Sequence, residues 1–375
     1  MQPQPRAVRK VNNLYSPLAP PTAAPKQVKK AKKKRAHFEF ESKPPQKPIP
    51  FPKLEFDECC LPRLSSVCTV KLDETRYSKN RVQYLLKVQP HYENKVRVAT
   101  WNLLMKDREK RLNPSHPAYD ASQLWDNRVK LIAAAIDRIK PDILGCQELY
   151  ESVEGKYNQE DDLYNYIGIA YERYSEKSPD GEHNTIFLKR DVFKVIHTHT
   201  YQCVDKAIGL IIVIFRNQKM VILNTHFSIE PNARETQARL VASIIKEHSL
   251  DKDLIIFLVD GNFLPNDPYN VSTKAGWDGP YIESIVKTDH KVEDAYNKTL
   301  FGNVGSLGSY TNDHLNADPF RGPGTPGVRL DKIFVSPKIE VFSHAIVRFI
   351  SGGKPSSDHQ AVIADLYIPT AEPKK

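Results

Sequence analysis

Cysteine is scarce: Cys59, Cys60, Cys68, Cys146 and Cys203 are the only five in 375 residues, odd in number and unevenly spaced. That argues against a disulfide framework or a paired Cys-x-x-Cys zinc site and fits a reducing, intracellular compartment, with cytoplasm and nucleus both open. Long apolar runs are also missing. The longest, Ala207 to Phe215, falls well short of the roughly 20 residues a membrane helix needs, and no apolar core of a signal peptide stands near the N-terminus. No repeat of roughly 20 to 50 residues is visible at the level of identity, although a strand-helix-strand layout occurs in both halves. Acidic residues are absent before Glu39.

That last absence explains the charge. Residues 1–95 hold 20 of the 54 Lys and Arg but only 8 of the 45 Asp and Glu, a net of +12, so the remainder carries −3 of the formal +9. Residues 1–53 are Pro-rich and contain Lys29-Lys30-Ala31-Lys32-Lys33-Lys34-Arg35. A disordered basic arm is expected there, suited to docking nucleic acid or to nuclear import, and equally to serving only as a solvated tail. Residues 54–94 read as a lead-in with strands at 67–72 and 81–88, residues 95–368 as the main domain, and 369–375 as a disordered tail.

A hydrophobic share of 40% suffices for one large domain. Strands are expected at Val96 to Asn102, Asp142 to Glu148, Asn184 to Leu188, Ala207 to Phe215, Met220 to Asn224, Leu254 to Val259, Val328 to Val335 and Ala361 to Tyr367. Helical spacing covers Leu124 to Ile139, with Pro141 just beyond it, and Ala233 to His248. The stretches 105–122, 149–182 and 264–327 read as loops.

Several of these strands end in polar clusters. A carboxylate such as Glu148, closing an apolar run, must be exposed, paired or metal-bound, because burying it alone costs too much. With Asn102 beside it, it suits Mg²⁺, which takes one or two protein oxygens plus water and substrate phosphate. His226 can donate to a phosphoryl oxygen, Asp260 can deprotonate or orient water, and Asn262 can hold a phosphate oxygen. Asp358 and His359 stand side by side after a Gly-rich turn, and Asp331 is placed to orient His359. Each has a plainer explanation: Asn and Asp-Gly-Asn are ordinary turn residues, and a lone His is commonly a satisfied core or surface group.

In order, Thr100-Trp101-Asn102, Gln147-Glu148, Asn224-Thr225-His226-Phe227, Asp260-x-Asn262, Arg329-Leu330-Asp331-x-Ile333 and Ser357-Asp358-His359 resemble the successive motifs of the endonuclease/exonuclease/phosphatase superfamily, with a deoxyribonuclease-I-like fold. Trp125-Asp126-Asn127-Arg128 and Gly181-Glu182-x-Asn184-x-Ile186-Phe187 add to the likeness, which is strongest to the intracellular small bacterial and deadenylase-like branch. The resemblance implies a four-layer α/β sandwich, two mixed β-sheets packed face to face with helices on the outside. It implies a Mg²⁺-dependent hydrolase of phosphate esters, with Mn²⁺ as a substitute. Carried over, Glu148 is the principal metal ligand with Asn102 and Asp358 in its shell. Asp260 positions the attacking water, Asn262 and His226 bind phosphoryl oxygens, and His359, oriented by Asp331, stabilises transition-state charge.

Two positions depart from the pattern: Val259 replaces the glycine usual before Asp260, and Lys332 stands where an aromatic is common. The functional expectation is a monomeric nuclease or phosphodiesterase on nucleic acid, RNA before DNA, with the arm 1–53 docking the substrate and no membrane span. The alternatives are a phosphatase on a small phosphorylated molecule or lipid headgroup, and a non-catalytic nucleic-acid scaffold. Thr325-Pro326-Gly327-Val328-Arg329 in place of a Trp-Cys-Asp-Arg motif argues against an inositol-polyphosphate substrate.

Overall fold

Alternating apolar residues that can bury only one face at a time require a partner for every face, and two sheets with helices on both outer sides meet that need. The computed structural model describes residues 94–105, 124–152, 157–179, 181–249, 253–263, 279–288, 292–299, 303–305, 329–347, 349–351 and 354–369. The arm 1–53, the strands expected at 67–72 and 81–88, residues 106–122 of the first expected loop, and 370–375 lie outside the described residues.

In chain order come β1 (Lys95–Asn102), α1 (Trp125–Ile139), β2 (Ile143–Tyr150), α2 (Gln159–Ile167), β3 (Tyr171–Lys177), β4 (Glu182–Lys189) and β5 (Lys194–Cys203). They are followed by β6 (Lys206–Phe215), β7 (Gln218–His226), α3 (Pro231–His248), β8 (Leu254–Asp260), α4 (Gly279–Thr288), β9 (Glu293–Asp294), α5 (Ala295–Lys298) and β10 (Asn303–Gly305). The last are β11 (Asp331–Val335), β12 (Glu340–Val347), β13 (Ile350–Ser351), β14 (Lys354–Pro355) and β15 (Ala361–Tyr367).

Two mixed sheets result, ordered β10-β12-β15-β1-β2-β4-β3 and β5-β6-β7-β8-β11-β9, with β13 and β14 forming a separate ribbon. Val98, Ile186, Ile211, Ile222, Leu258 and Val362 fill the space between the sheets. Outside the first sheet, Ile132 and Ile136 of α1 and Leu163 of α2 pack on Leu144, Phe187 and Ile363. Outside the second, Val241 and Ile245 of α3 and Ile282 of α4 pack on Leu210, Leu223 and Phe257. Each such side chain, fully buried, contributes about 1.5–3 kcal/mol. The expected four-layer sandwich is therefore the observed fold.

The sheets approach closely near the site. A Cβ added at Gly145 would lie 2.7 Å from Asn224 Oδ1 and 2.8 Å from Leu258 Cδ1, so only glycine fits there. Helix α1 ends as its sequence suggests: Lys140 takes φ 51° and donates its N–H to Ile136, and Pro141 blocks a further turn.

Three expectations need correction. The stretch 149–182 is not loop throughout, since α2 and β3 lie in it, and 264–327 contains α4, β9, α5 and β10. Helix α2 is started by Asn158, whose side chain accepts from the N–H groups of Glu160 and Asp161, a local cap rather than an apolar stripe. The strand expected from Val328 begins only at Asp331, while β5 and β12 are additional strands. No helix among the described residues is long and apolar enough to cross a membrane.

Candidate active site

Strand register brings the polar strand ends together. Parallel pairing of β7 with β8 sets His226 opposite Asp260, and antiparallel pairing of β8 with β11 sets Asp260 opposite Asp331. Residues opposite one another point to the same face, so three functional groups stand side by side on adjacent strands. From the other sheet, Asn102 closes β1 opposite Gln147 of β2. There β2 bulges: Cys146 faces Thr185 and Leu149 faces His183, leaving Gln147 and Glu148 opposite Asn184 alone. Glu148 takes φ 58°, unusual for a residue with a side chain, and the bulge sends two consecutive side chains to different tasks. Gln147 donates to Thr100 Oγ1 (3.0 Å) and Asn224 Oδ1 (2.7 Å) between the sheets. Glu148 turns to the strand ends.

The Asn102 amide bridges the two sheets, donating from Nδ2 to Glu148 Oε1 (3.0 Å) and Asp260 Oδ2 (2.8 Å). Its oxygen accepts from Leu104 N, and Glu148 Oε2 accepts from Met105 N. Asn262, at φ 47°, donates from Nδ2 to Phe227 O and lies 2.8 Å from His226 Nε2. Asp260 Oδ2 is 3.4 Å from His226 Nε2 and 3.7 Å from His359 Nε2. Burial opposes the ionisation of Asp260, but the two imidazoles and hydrogen bonds from Asn102 and Asn262 outweigh it and hold the carboxyl below its usual range.

His359 donates from Nδ1 to Asp331 Oδ2 at 2.7 Å. Burial would favour the neutral ring, yet Asp331 and Asp260 prevail and raise its pKa to about 10. His226 is oriented in the same way by Glu182, which accepts from Nδ1 at 2.7 Å and also from Glu148 N at 3.3 Å. Its pKa is raised against the effect of burial by Glu182 and Asp260. Buried Lys206 pairs with the other oxygen of Glu182. Glu182 belongs to the family-like stretch in the sequence but carried no assigned role there. A carboxylate opening a strand gives no local signal, and only tertiary pairing shows what it holds.

Asp358 accepts from Ser357 Oγ at 3.3 Å, and the same hydroxyl donates to Asn102 O at 2.7 Å. The site's floor is tied by Arg128, fully buried, which donates to the carbonyls of Leu103, Leu104 and Ser356, and by Trp101 Nε1, which donates to His359 O. Val259 is buried among Phe257, Phe334 and α3, so its Cβ serves packing away from the reactive groups. Lys332 takes an aromatic's place by lying 4.4 Å over the Phe263 ring while its ammonium reaches Glu283 at 2.9 Å.

The donor set suits a hard divalent cation. Glu148, Glu182, Asp260, Asp331 and Asp358 are all buried, and the buried basic groups beside them are His226, His359 and Lys206. Carboxylates outnumber cations, and the Asn102 amide hydrogens sit between Glu148 and Asp260 where positive charge is wanted. Asp260, Asp331 and His359 also have atoms within 4.8 Å of one another. That trio is better read as a hydrogen-bonded relay, because an imidazolium has no lone pair to give a metal.

Residues 99–359 match the Endonuclease/Exonuclease/phosphatase family. The chain belongs to that family. Its members are metal-dependent phosphoesterases, and this chain is a metal-dependent hydrolase of phosphate esters. An endonuclease/exonuclease/phosphatase from Bacteroides vulgatus shares 20% identity at a TM-score of 0.56, covering 73% of this chain and 99% of that one. The mannosyl-6-phosphatase Bt3783 of Bacteroides thetaiotaomicron shares 19% at 0.54, covering 73% and 100%. D. rerio TDP2 complexed with a single-strand DNA product shares 17% at 0.50, covering 72% and 98%. No curated protein sequence matches the chain.

Proposed function

We propose that the chain is a Mg²⁺-dependent phosphodiesterase acting on nucleic acid, RNA in preference to DNA. The observation that carries the reading is the pair of oriented imidazoles, His226 on Glu182 and His359 on Asp331, flanking Asp260 opposite Glu148. Glu148, with Asn102 and Asp358 completing the shell, would hold the cation, which when bound would supply Lewis-acid polarisation of a phosphoryl oxygen. Asp260, kept ionised, accepts a hydrogen bond from the attacking water and aligns it. Asn262 and His226 hold phosphoryl oxygens, and His359 places a full positive charge where negative charge accumulates in the transition state. Restraint of these groups by Asp331, Glu182 and Arg128 means that little reorganisation accompanies the step.

Nucleic acid is favoured by the basic segment, because Lys and Arg that neutralise phosphates give sequence-independent affinity. TDP2 is seen with a DNA product on a similar fold. The competing reading, a phosphatase on a small phosphorylated molecule, draws on the −3 carried beyond residue 95, which repels a polyanion, and on the fold's use by a mannosyl-6-phosphatase. Hydrolysis of fluorescent single-stranded RNA, matched DNA and a generic phosphate ester, each with Mg²⁺ or EDTA, separates the two. RNA cleavage abolished both by EDTA and by Glu148→Ala is expected. Cleavage of the generic ester alone would transfer the site to small phosphates.

A further inference from the structure

The exposed face of β5 carries a second group of titratable side chains outside the catalytic region. β5 is an edge strand, and His197, His199 and Tyr201 alternate along it. The period-2 geometry of a strand directs such alternate residues to one side. The rings of His197 and His199 stack with centroids 6.2 Å apart and planes 10° apart. His248, from the last turn of α3, brings a third imidazole to 5.7 Å from His197. It is held by a hydrogen bond between its Nε2 and the Tyr201 hydroxyl. Among the described residues, the imidazoles of His197 and His199 make no hydrogen bond or ion pair.

The surrounding charges favour a cation. Glu247 has a carboxylate oxygen 3.8 Å from His248 Nε2. The nearby ammonium of Lys219 is engaged by Asp253 and by the His248 carbonyl, both at 2.8 Å.

We propose that His197, His199 and His248 form a binding site for a divalent transition-metal ion of the Zn²⁺ class. Imidazole nitrogen selects Zn²⁺, Cu²⁺ and Ni²⁺ over Mg²⁺, so this site and the oxygen-rich catalytic one take different ions. A His-x-His pair on a strand supplies two ligands from one side, and the helix supplies the third. The exposed rings of His197 and His199 are free to turn their nitrogens inward, while His248 would exchange its Tyr201 hydrogen bond for the metal, with open coordination positions left to water or Glu247. Bound metal would clasp the C-terminus of α3 to β5.

The test is titration of the metal-stripped full chain with Zn²⁺ against a chromophoric competing chelator, in saturating Mg²⁺. It is run on wild type, His197→Ala/His199→Ala, His248→Gln and His359→Ala. Wild type and His359→Ala are expected to bind one equivalent at this site. The double variant should lose it, and His248→Gln should bind at least about tenfold more weakly, since even groups behind a ligand matter by 10–100-fold. Zn²⁺ should raise the melting temperature of wild type and not of the double variant, whose far-ultraviolet spectrum should match wild type. Equal affinity in wild type and the double variant overturns the proposal, as does loss of Zn²⁺ binding in His359→Ala alone or no binding by wild type at micromolar Zn²⁺.

Discussion

At the scale of the residue, His359 owes its charge to two carboxylates, and that dependence is measurable. With its pKa near 10, the imidazolium persists across the physiological range. The pH profile of kcat should therefore keep its alkaline limb near 10, and Asp331→Asn should move that limb toward the ordinary histidine value near 6.5 while lowering kcat by about 10²–10⁴. The stability sign follows from the raised folded-state pKa: the contribution is complete below about 6.5 and is lost as pH rises through about 10. An unmoved limb in Asp331→Asn would remove His359 from the charge-stabilising role. Glu176 carries a similar argument outside the proposed reaction. Burial, then Glu160, raises its carboxyl to about 8, and one of its oxygens lacks a partner, as does Asn184 Oδ1 opposite it in the β3–β4 register. Its protonated form is favoured by folding, so native stability should fall as pH rises from about 4.5 to 8. Glu176→Gln, uncharged and with an amide donor for Asn184, should stabilise by about 1–2 kcal/mol at pH 9 and change little at pH 5, read from denaturant midpoints. The roles of Glu148, His226 and His359 were suggested by residue type at strand ends. Those of Glu182 and Lys206 were not, because their partners lie across the fold.

At the scale of the element, what sequence pattern revealed divides along a physical line. Strands buried on both faces, such as β6 and β8, and the amphipathic α1 stand out because their own side chains supply the driving force. β5, with Lys194, His197, Thr198, His199 and Gln202 exposed, is a strand because β6 offers it a ladder of hydrogen bonds, and no local pattern encodes that. The same limit hides the bulge in β2. Sequence places Glu148 at a strand exit but not the extra residue that turns it from the core. Gly145 shows how tightly this region is drawn together. In Gly145→Ala a new Cβ would meet Asn224 Oδ1 and Leu258, disturbing the side chain that accepts from Gln147. Overpacking of this kind costs about 1–3 kcal/mol, and the displaced bulge should also lower Mg²⁺-supported activity. Full activity and an unchanged midpoint would mean that the sheets separate more easily there than their contacts indicate.

At the scale of the whole molecule, the order of motifs was enough to identify the sandwich, because each strand end must reach one side of two facing sheets for the site to exist. Substrate choice was less legible, since net charge divides the chain against itself: +12 through residue 95 and −3 beyond it. If the basic segment docks a nucleic acid, its removal should act on binding and not on bond breaking. Each phosphate neutralised on a single strand adds about 0.7 to the slope of log affinity against log salt. Engagement of four to six phosphates by the segment would thus account for a slope of about 3 to 4. A chain beginning at Pro90 should lose that increment for single-stranded RNA, with its greatest affinity loss at low salt, while kcat on a small phosphate ester stays unchanged. Parallel salt plots for the full and shortened chains would show that the charge does not meet the substrate, leaving substrate selection to the groups around Glu148 and the two oriented imidazoles.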